Sequence, residues 1–308
     1  MTERLERLNW AFVADRLGLI ALLSWWLVFS GMLLWNVATG VLGGFGGDGI
    51  LYYRATEAWV QGRDPWTVSV EQLRFAGIPP TLLLNLPLLP FGENAAGAFW
   101  PIAALAGWLY TMRRLGLPWY WLLFPAFVEG LPGGGPDPFL VALMFLGGGA
   151  IAALTKPYSI PAILAEGRWR AVVVAVAALL VSIPLLPWGQ FFTDRQLIGQ
   201  TITDQGRGVS AWGDPLLMIL TSIALLSLGW RSALYLATPG LFPVGMPHYA
   251  VFSIREIARS KWLAFFLSLP VPGAAALGII AYAVMRHAPA LASAVAGRLW
   301  PRPRAAVA

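Results

Sequence analysis

The sequence predicts an all-α integral-membrane fold, a polytopic bundle of about eight spans with re-entrant or half-helices and an amphipathic helix in the first outer loop. Three observations predict it. Hydrophobic residues make up 58% of the 308-residue chain and charged ones only 12%, with a mean hydropathy of +0.67, a composition foreign to soluble domains. Apolar runs approaching the roughly 20 residues of a membrane span recur from end to end. Basic residues separate into two sets when those runs are threaded back and forth across a bilayer. With no linker or low-complexity segment dividing it, the whole of 1–308 reads as one transmembrane domain.

The first run, 17–41, is longer than a signal-peptide apolar region and lacks an A-x-A site, so it reads as an uncleaved anchor that follows a native N-terminus. The glycine-rich turn GGFGGDG then delivers Asp48, and the first outer loop extends over 43–78. Helical spacing from Asp48 puts Arg54, Glu57 and Gln61 on one face and Leu51, Ala55, Ala58 and Trp59 on the other, the pattern of a helix lying on a membrane surface. Residues 79–90 and 157–165 are apolar but interrupted by prolines, which suits half-helices or re-entrant pieces. Further spans are expected over 94–112, 117–131, 137–154, 171–187, 215–229, 232–246 and 262–285. Between them, 188–214 is a polar second outer loop flanked by tryptophans, able to roof a cavity together with the first.

Charge sets the orientation. A cytoplasmic N-terminus puts Arg4, Arg7, Arg16, Arg113, Arg114, Lys156, Arg168, Arg170, Arg231, Arg286, Arg298, Arg302 and Arg304 inside, 13 of the 21 basic residues. Arg54, Arg63, Arg74, Arg195, Arg207, Arg255, Arg259 and Lys261 then fall outside, with most of the acids and with Asp48. The pI of about 10.0 is thereby a topology effect and gives no argument for nucleic-acid binding. The absence of cysteine excludes disulfides, thiolate metal sites and cysteine nucleophiles together.

An acidic side chain where a span meets water is a candidate catalytic base, and Asp48 also fits a helix N-cap, since it follows glycines and precedes an amphipathic segment. Asp64, before Pro65, reads as a turn or cap. Glu129 and Asp137 flank LPGGGP at the top of an expected hairpin, where they position a substrate or terminate helices. Lys156 falls near the cytoplasmic side on this threading and reaches the Asp48 side only if 137–154 folds back. His248 ends a span on the outer side, at a candidate binding or interfacial position, and His287 falls inside.

The ordered set Asp48, Tyr52, Tyr53, Ala55, Ala58, Gly62, Asp64, Pro65 and Trp66 is followed by PPTLLLNLPLLP, EGLPGGGPDPFLVAL, LTKPYSIPAIL with GRWR, and PHYAVFSI. Together they span most of the chain and resemble the GT-C superfamily of integral-membrane glycosyltransferases, specifically the polyprenyl-phosphate-mannose-dependent α-mannosyltransferases of glycosyltransferase family 87. Trp66 stands where that family more often has tyrosine, and the chain is shorter than its members usually are. The resemblance implies inverting transfer of a sugar, mannose by analogy, from a polyprenyl-phosphate donor to a hydroxyl of a lipid or cell-envelope glycan acceptor. It implies a multi-pass protein of the bacterial plasma (inner) membrane with both termini cytoplasmic and chemistry at the outer face. Asp48 would be the general base. His248, Arg255, Arg195, Arg207 and Lys156, with Tyr52, Tyr53, Glu129 and Asp137, are the candidates for donor phosphate and substrate binding. With no glycine-rich nucleotide cradle or DxD pair, no sugar-nucleotide donor, metal or cofactor is expected beyond the lipid-linked sugar, and membrane lipids surround the chain. A secondary transporter and a non-catalytic polyprenyl-lipid-binding subunit are the alternative readings.

Overall fold

A computed structural model describes residues 10–39, 45–71, 73–206, 208–243 and 245–299. They form an all-helical bundle; its only strand pair among the described residues is a short hairpin, β1 (Ser69–Val70) and β2 (Leu73–Arg74), in the first loop. Helix α1 (Trp10–Ala38) is the only helix among the described residues long and apolar enough to cross a membrane. One side of it buries Leu22 and Trp26, while Leu17, Ile20, Leu27 and Met32 stay exposed.

Helix α2 (Gly47–Val60) is the amphipathic helix of the first loop, with Leu51, Ala55 and Ala58 buried and Arg54 and Gln61 exposed. Helix α3 (Glu93–Leu115) runs the height of the bundle from Glu93, which pairs with Arg54 at 2.7 Å, to Arg113 and Arg114. The expected span 117–131 is a 3-10 segment, Trp119–Leu123, joined to α4 (Pro125–Gly133), because prolines at 118 and 125 interrupt a continuous α ladder. An aromatic stack welds these elements to α1. The Trp108 ring stacks on Phe127 and Phe124 at 5.1 and 5.9 Å, and Trp26 lies 5.0 Å from Trp121. The buried indoles find partners, Trp108 Nε1 donating to the Trp121 carbonyl and Trp26 Nε1 to Ser268 Oγ.

Other expected spans are corrected. Residues 137–154 do not cross; α5 (Asp137–Leu146) and α6 (Gly149–Thr155) form a hairpin that returns the chain to the level of Asp137. Gly147, with φ 105°, caps α5 in the left-handed region and starts the turn. After a 3-10 turn, Pro157–Ser159, the chain continues through α7 (Ile160–Ala165) to α8 (Trp169–Ser182). Residues 79–90 are proline-broken, as expected, but as two 3-10 segments, Pro79–Leu84 and Leu86–Phe91.

The second loop contains α9 (Trp188–Thr193) and α10 (Arg195–Gln205), which rest on the first loop through Phe191, Ile198 and Ile202 against Leu51, Trp66 and Phe75. Helices α11 (Pro215–Ser227) and α12 (Trp230–Leu241) form a second hairpin. The segment after it, expected as an outer loop, is an ordered 3-10 stretch, Pro247–Ser253, that enters α13 (Ile254–Ile257) with Ala250, Val251, Phe252, Ile254 and Ile257 buried. It threads the bundle. The expected span 262–285 divides at Pro270 and Pro272 into α14 (Lys261–Leu267) and α15 (Ala274–Leu299). Lys261 pairs with Asp15 and Arg255 with Glu166, so Arg255, Arg259 and Lys261 gather beside Arg114 at the end opposite Asp48, not on its side.

Helices α2 and α3 meet backbone to backbone. A Cβ on Gly46 would lie 2.2 Å from the Gly97 carbonyl oxygen, and Gly46 sits at φ 84°. Gly46→Ala is therefore expected to destabilise the fold by on the order of 3 kcal/mol, through strain and overpacking together. Gly47→Ala meets open space and should be neutral or slightly stabilising, which thermal unfolding of the two variants would check.

Candidate functional site

Asp48 owes its position to backbone. Gly46 caps α2 from the left-handed region and donates its N–H to the Pro132 carbonyl at 2.6 Å, pinning the first turn of α2 against the end of α4. Asp48 is the second residue of that helix and makes no capping bond, so the N-cap role expected of it falls to Gly46. Among the described residues its carboxylate accepts no hydrogen bond at all. The LPGGGP turn faces it without side chains: a Cβ on Gly133 or Gly135 would lie 3.1 or 3.5 Å from Asp48 Oδ2. Burial pushes the Asp48 carboxyl above the usual carboxylate range; His248 and Lys156 oppose the shift, and Asp137 and Glu129 add to it.

Beside this carboxylate lies a connected polar network. Asp137, at the start of α5, is almost wholly buried and accepts the Tyr158 hydroxyl at 2.9 and 3.0 Å on its two oxygens. Lys156 Nζ stands 4.0 Å from Asp137 Oδ1 and donates to Tyr52 OH at 2.7 Å. His248 Nε2 lies 3.6 Å from Asp137 Oδ2, with its ring edge-on to Tyr249 at 4.8 Å. Tyr249 in turn packs on Tyr158, ring centroids 4.1 Å apart. The Lys156 ammonium also sits over the Tyr52 and Tyr158 rings, at 5.3 and 5.6 Å. Tyr52 is one helical turn after Asp48, so a single face of α2 supplies both.

The structure thus brings together Asp48, Tyr52, Glu129, Asp137, Lys156 and His248. Lys156 joins them because α5 and α6 fold back, contrary to the cytoplasmic placement of the simple threading. Three candidates stand elsewhere. Arg255 is at the far end in its ion pair with Glu166, 2.6 Å, because 247–257 crosses the bundle where an outer loop was expected. Tyr53 points off the other side of α2 and donates to the Leu89 carbonyl at 3.3 Å. Arg195 is exposed at the start of α10, on the roof. Arg207 lies outside the described residues. Asp64 accepts from the Trp66 N–H at 2.8 Å and caps the following 3-10 turn, its expected role. His287 Nε2 meets the Ser227 carbonyl at 3.0 Å, near the turn between α11 and α12.

Tyr158, Tyr249, Gly133 and Gly135 lie within LTKPYSIPAIL, PHYAVFSI and LPGGGP but are not among the individual residues expected at the site. The glycine run between Glu129 and Asp137 was the one available signal, since three consecutive glycines between two acids leave a carboxylate room to be approached.

A carboxyl that titrates higher folded than unfolded stabilises the fold below its unfolded value, and that contribution is lost as pH rises through the folded value. Asp48→Asn should remove the loss. Thermal unfolding against pH is expected to give coincident curves for variant and wild type in acid, with the variant the more stable as pH rises toward neutrality. No family model, curated protein or solved structure matches this chain.

Proposed function

We propose that the chain is an integral-membrane glycosyltransferase of GT-C type. It moves a sugar, mannose by resemblance, from a polyprenyl-phosphate donor to a hydroxyl of a lipid or cell-envelope glycan acceptor, inverting the anomeric centre. The observation that carries this reading is the unbonded Asp48 carboxylate, raised in pKa and facing a glycine turn, next to the cationic Lys156 and to His248. Such a carboxylate is suited to take the proton of an incoming hydroxyl, because its basicity is increased and no hydrogen bond has to be broken first. The leaving lipid phosphate gains negative charge as the glycosidic bond breaks, and Lys156 and His248 are the groups able to stabilise it. Tyr52, held by Lys156, and Glu129 border the space where the two substrates would meet.

The membrane part of the proposal is a multi-pass topology in the bacterial inner membrane, both termini cytoplasmic and the Asp48 end outside. It is supported by the apolar length of α1 and by exposed aliphatic faces on the shorter helices, Val173, Val174 and Leu180 on α8 and Leu216, Ile219 and Ile223 on α11. Soluble surfaces rarely show such rows.

Transfer of labelled mannose from polyprenyl-phosphate-mannose, assayed in membranes expressing the protein, tests the reading. Asp48→Asn is expected to lower transfer by roughly 10²- to 10⁴-fold, the usual contribution of a positioned base, with folding retained. His248→Ala should cost roughly tenfold, read as a weaker response to donor concentration. Donor binding without turnover in the wild type would instead mark a non-catalytic lipid-binding subunit.

A further inference from the structure

At the end away from Asp48 the bundle holds an open cavity of about 540 Å³, within the size range of small-molecule sites. Arg114, at the last turn of α3, and Arg255, Arg259 and Lys261, from α13 to α14, supply one part of its wall; Leu117, Pro118 and Tyr120 supply another. No carboxylate lines it. Three of the cations are held by acids that lie outside the lining, Arg255 by Glu166, Arg259 by Glu256 and Lys261 by Asp15. Arg114 has no such partner among the described residues. A basic end alone would follow from membrane topology, but topology does not require four cations to converge on a concave space with an aliphatic and aromatic wall.

We propose that this cavity binds the headgroup of an anionic phospholipid. The phosphate sits between Arg114 and Lys261, and the glycerol and first acyl carbons lie along the half-buried Leu117 and Tyr120. Phosphate chemistry follows from the Arg114 guanidinium, which can donate in pairs, beside the Lys261 ammonium, and a lipid source follows from the apolar wall, which free phosphate would leave empty. The proposal is independent of glycosyl transfer and of the Asp48 network.

Full-length protein in a neutral detergent, mixed with phosphatidylglycerol, phosphatidylcholine, glycerol 3-phosphate or inorganic phosphate, tests it by native mass spectrometry and thermal shift. Phosphatidylglycerol should be retained and stabilising; phosphatidylcholine and the two soluble phosphates should be neither at equal concentration. Arg114→Glu should lower phosphatidylglycerol retention roughly tenfold. Arg231→Glu makes the same change of charge at the start of α12, outside the cavity, and should leave retention unaltered. Should the reversal at 114 give no folded protein, Arg114→Gln reads the same direction. Equal loss in the 114 and 231 variants, or equal retention of phosphatidylcholine, would overturn the site. Equal stabilisation by glycerol 3-phosphate would overturn its assignment to a lipid.

Discussion

Burial of one acid, Asp137, dictates how the Asp48 end of this molecule is put together. A carboxylate removed from water is tolerated only when hydrogen bonds and opposite charge replace its hydration, and Asp137 has the Tyr158 hydroxyl on both oxygens with Lys156 and His248 behind. It also stands in the first turn of α5, where helix N–H groups favour negative charge. Those compensating groups come from the turn after α6 and from the 3-10 segment 247–253, and Tyr52 of α2 is tied in through Lys156. The demands of one buried acid therefore fix the mutual position of four pieces of chain, and with them the surroundings of Asp48.

The two ends of the bundle use charge in opposite ways. Ion pairs at the far end, Arg255 with Glu166 and Lys261 with Asp15, each keep at least one partner well exposed to solvent and contribute little to stability. Near Asp48 the charges are withdrawn from solvent and incompletely neutralised, which is costly to the fold. Between them the stack of Trp26, Trp108, Trp121, Phe124 and Phe127 provides rigid apolar packing, and glycines provide closeness. Gly107 lets α3 approach the backbone at Pro138 and Phe139, immediately after Asp137, with an added Cβ only 2.7 Å from the Phe139 Cα. Small residues at helix crossings allow this approach, which larger side chains would forbid.

The misplacement of Arg255 and Lys156 has a common physical origin. Hydropathy reports whether a segment can sit in an apolar environment, and it carries no information about how far the segment travels. Residues 138–154 are apolar throughout, yet Gly147 and Gly148 reverse them, so an apparent span is a hairpin and Lys156 returns to the start of α5. The run from Pro247 to Ile257 follows an expected span and was placed in an outer loop, but a 3-10 helix rises about 2.0 Å per residue and needs fewer residues than an α-helix for the same height. Each reversal or crossing missed in this way changes the side on which later charges are counted.

By itself the sequence determined the all-helical class, the amphipathic face of α2 and the proline-broken segments. These follow from local chemistry, side-chain spacing and backbone restrictions, which act within a few residues. Only the tertiary structure decided that Lys156, Tyr158 and His248 converge on Asp137, that Tyr53 turns away, and that Arg255 belongs to the other end. Those outcomes depend on contacts between residues 19 to 111 positions apart along the chain, set by helix reversals and backbone approaches that no local pattern encodes.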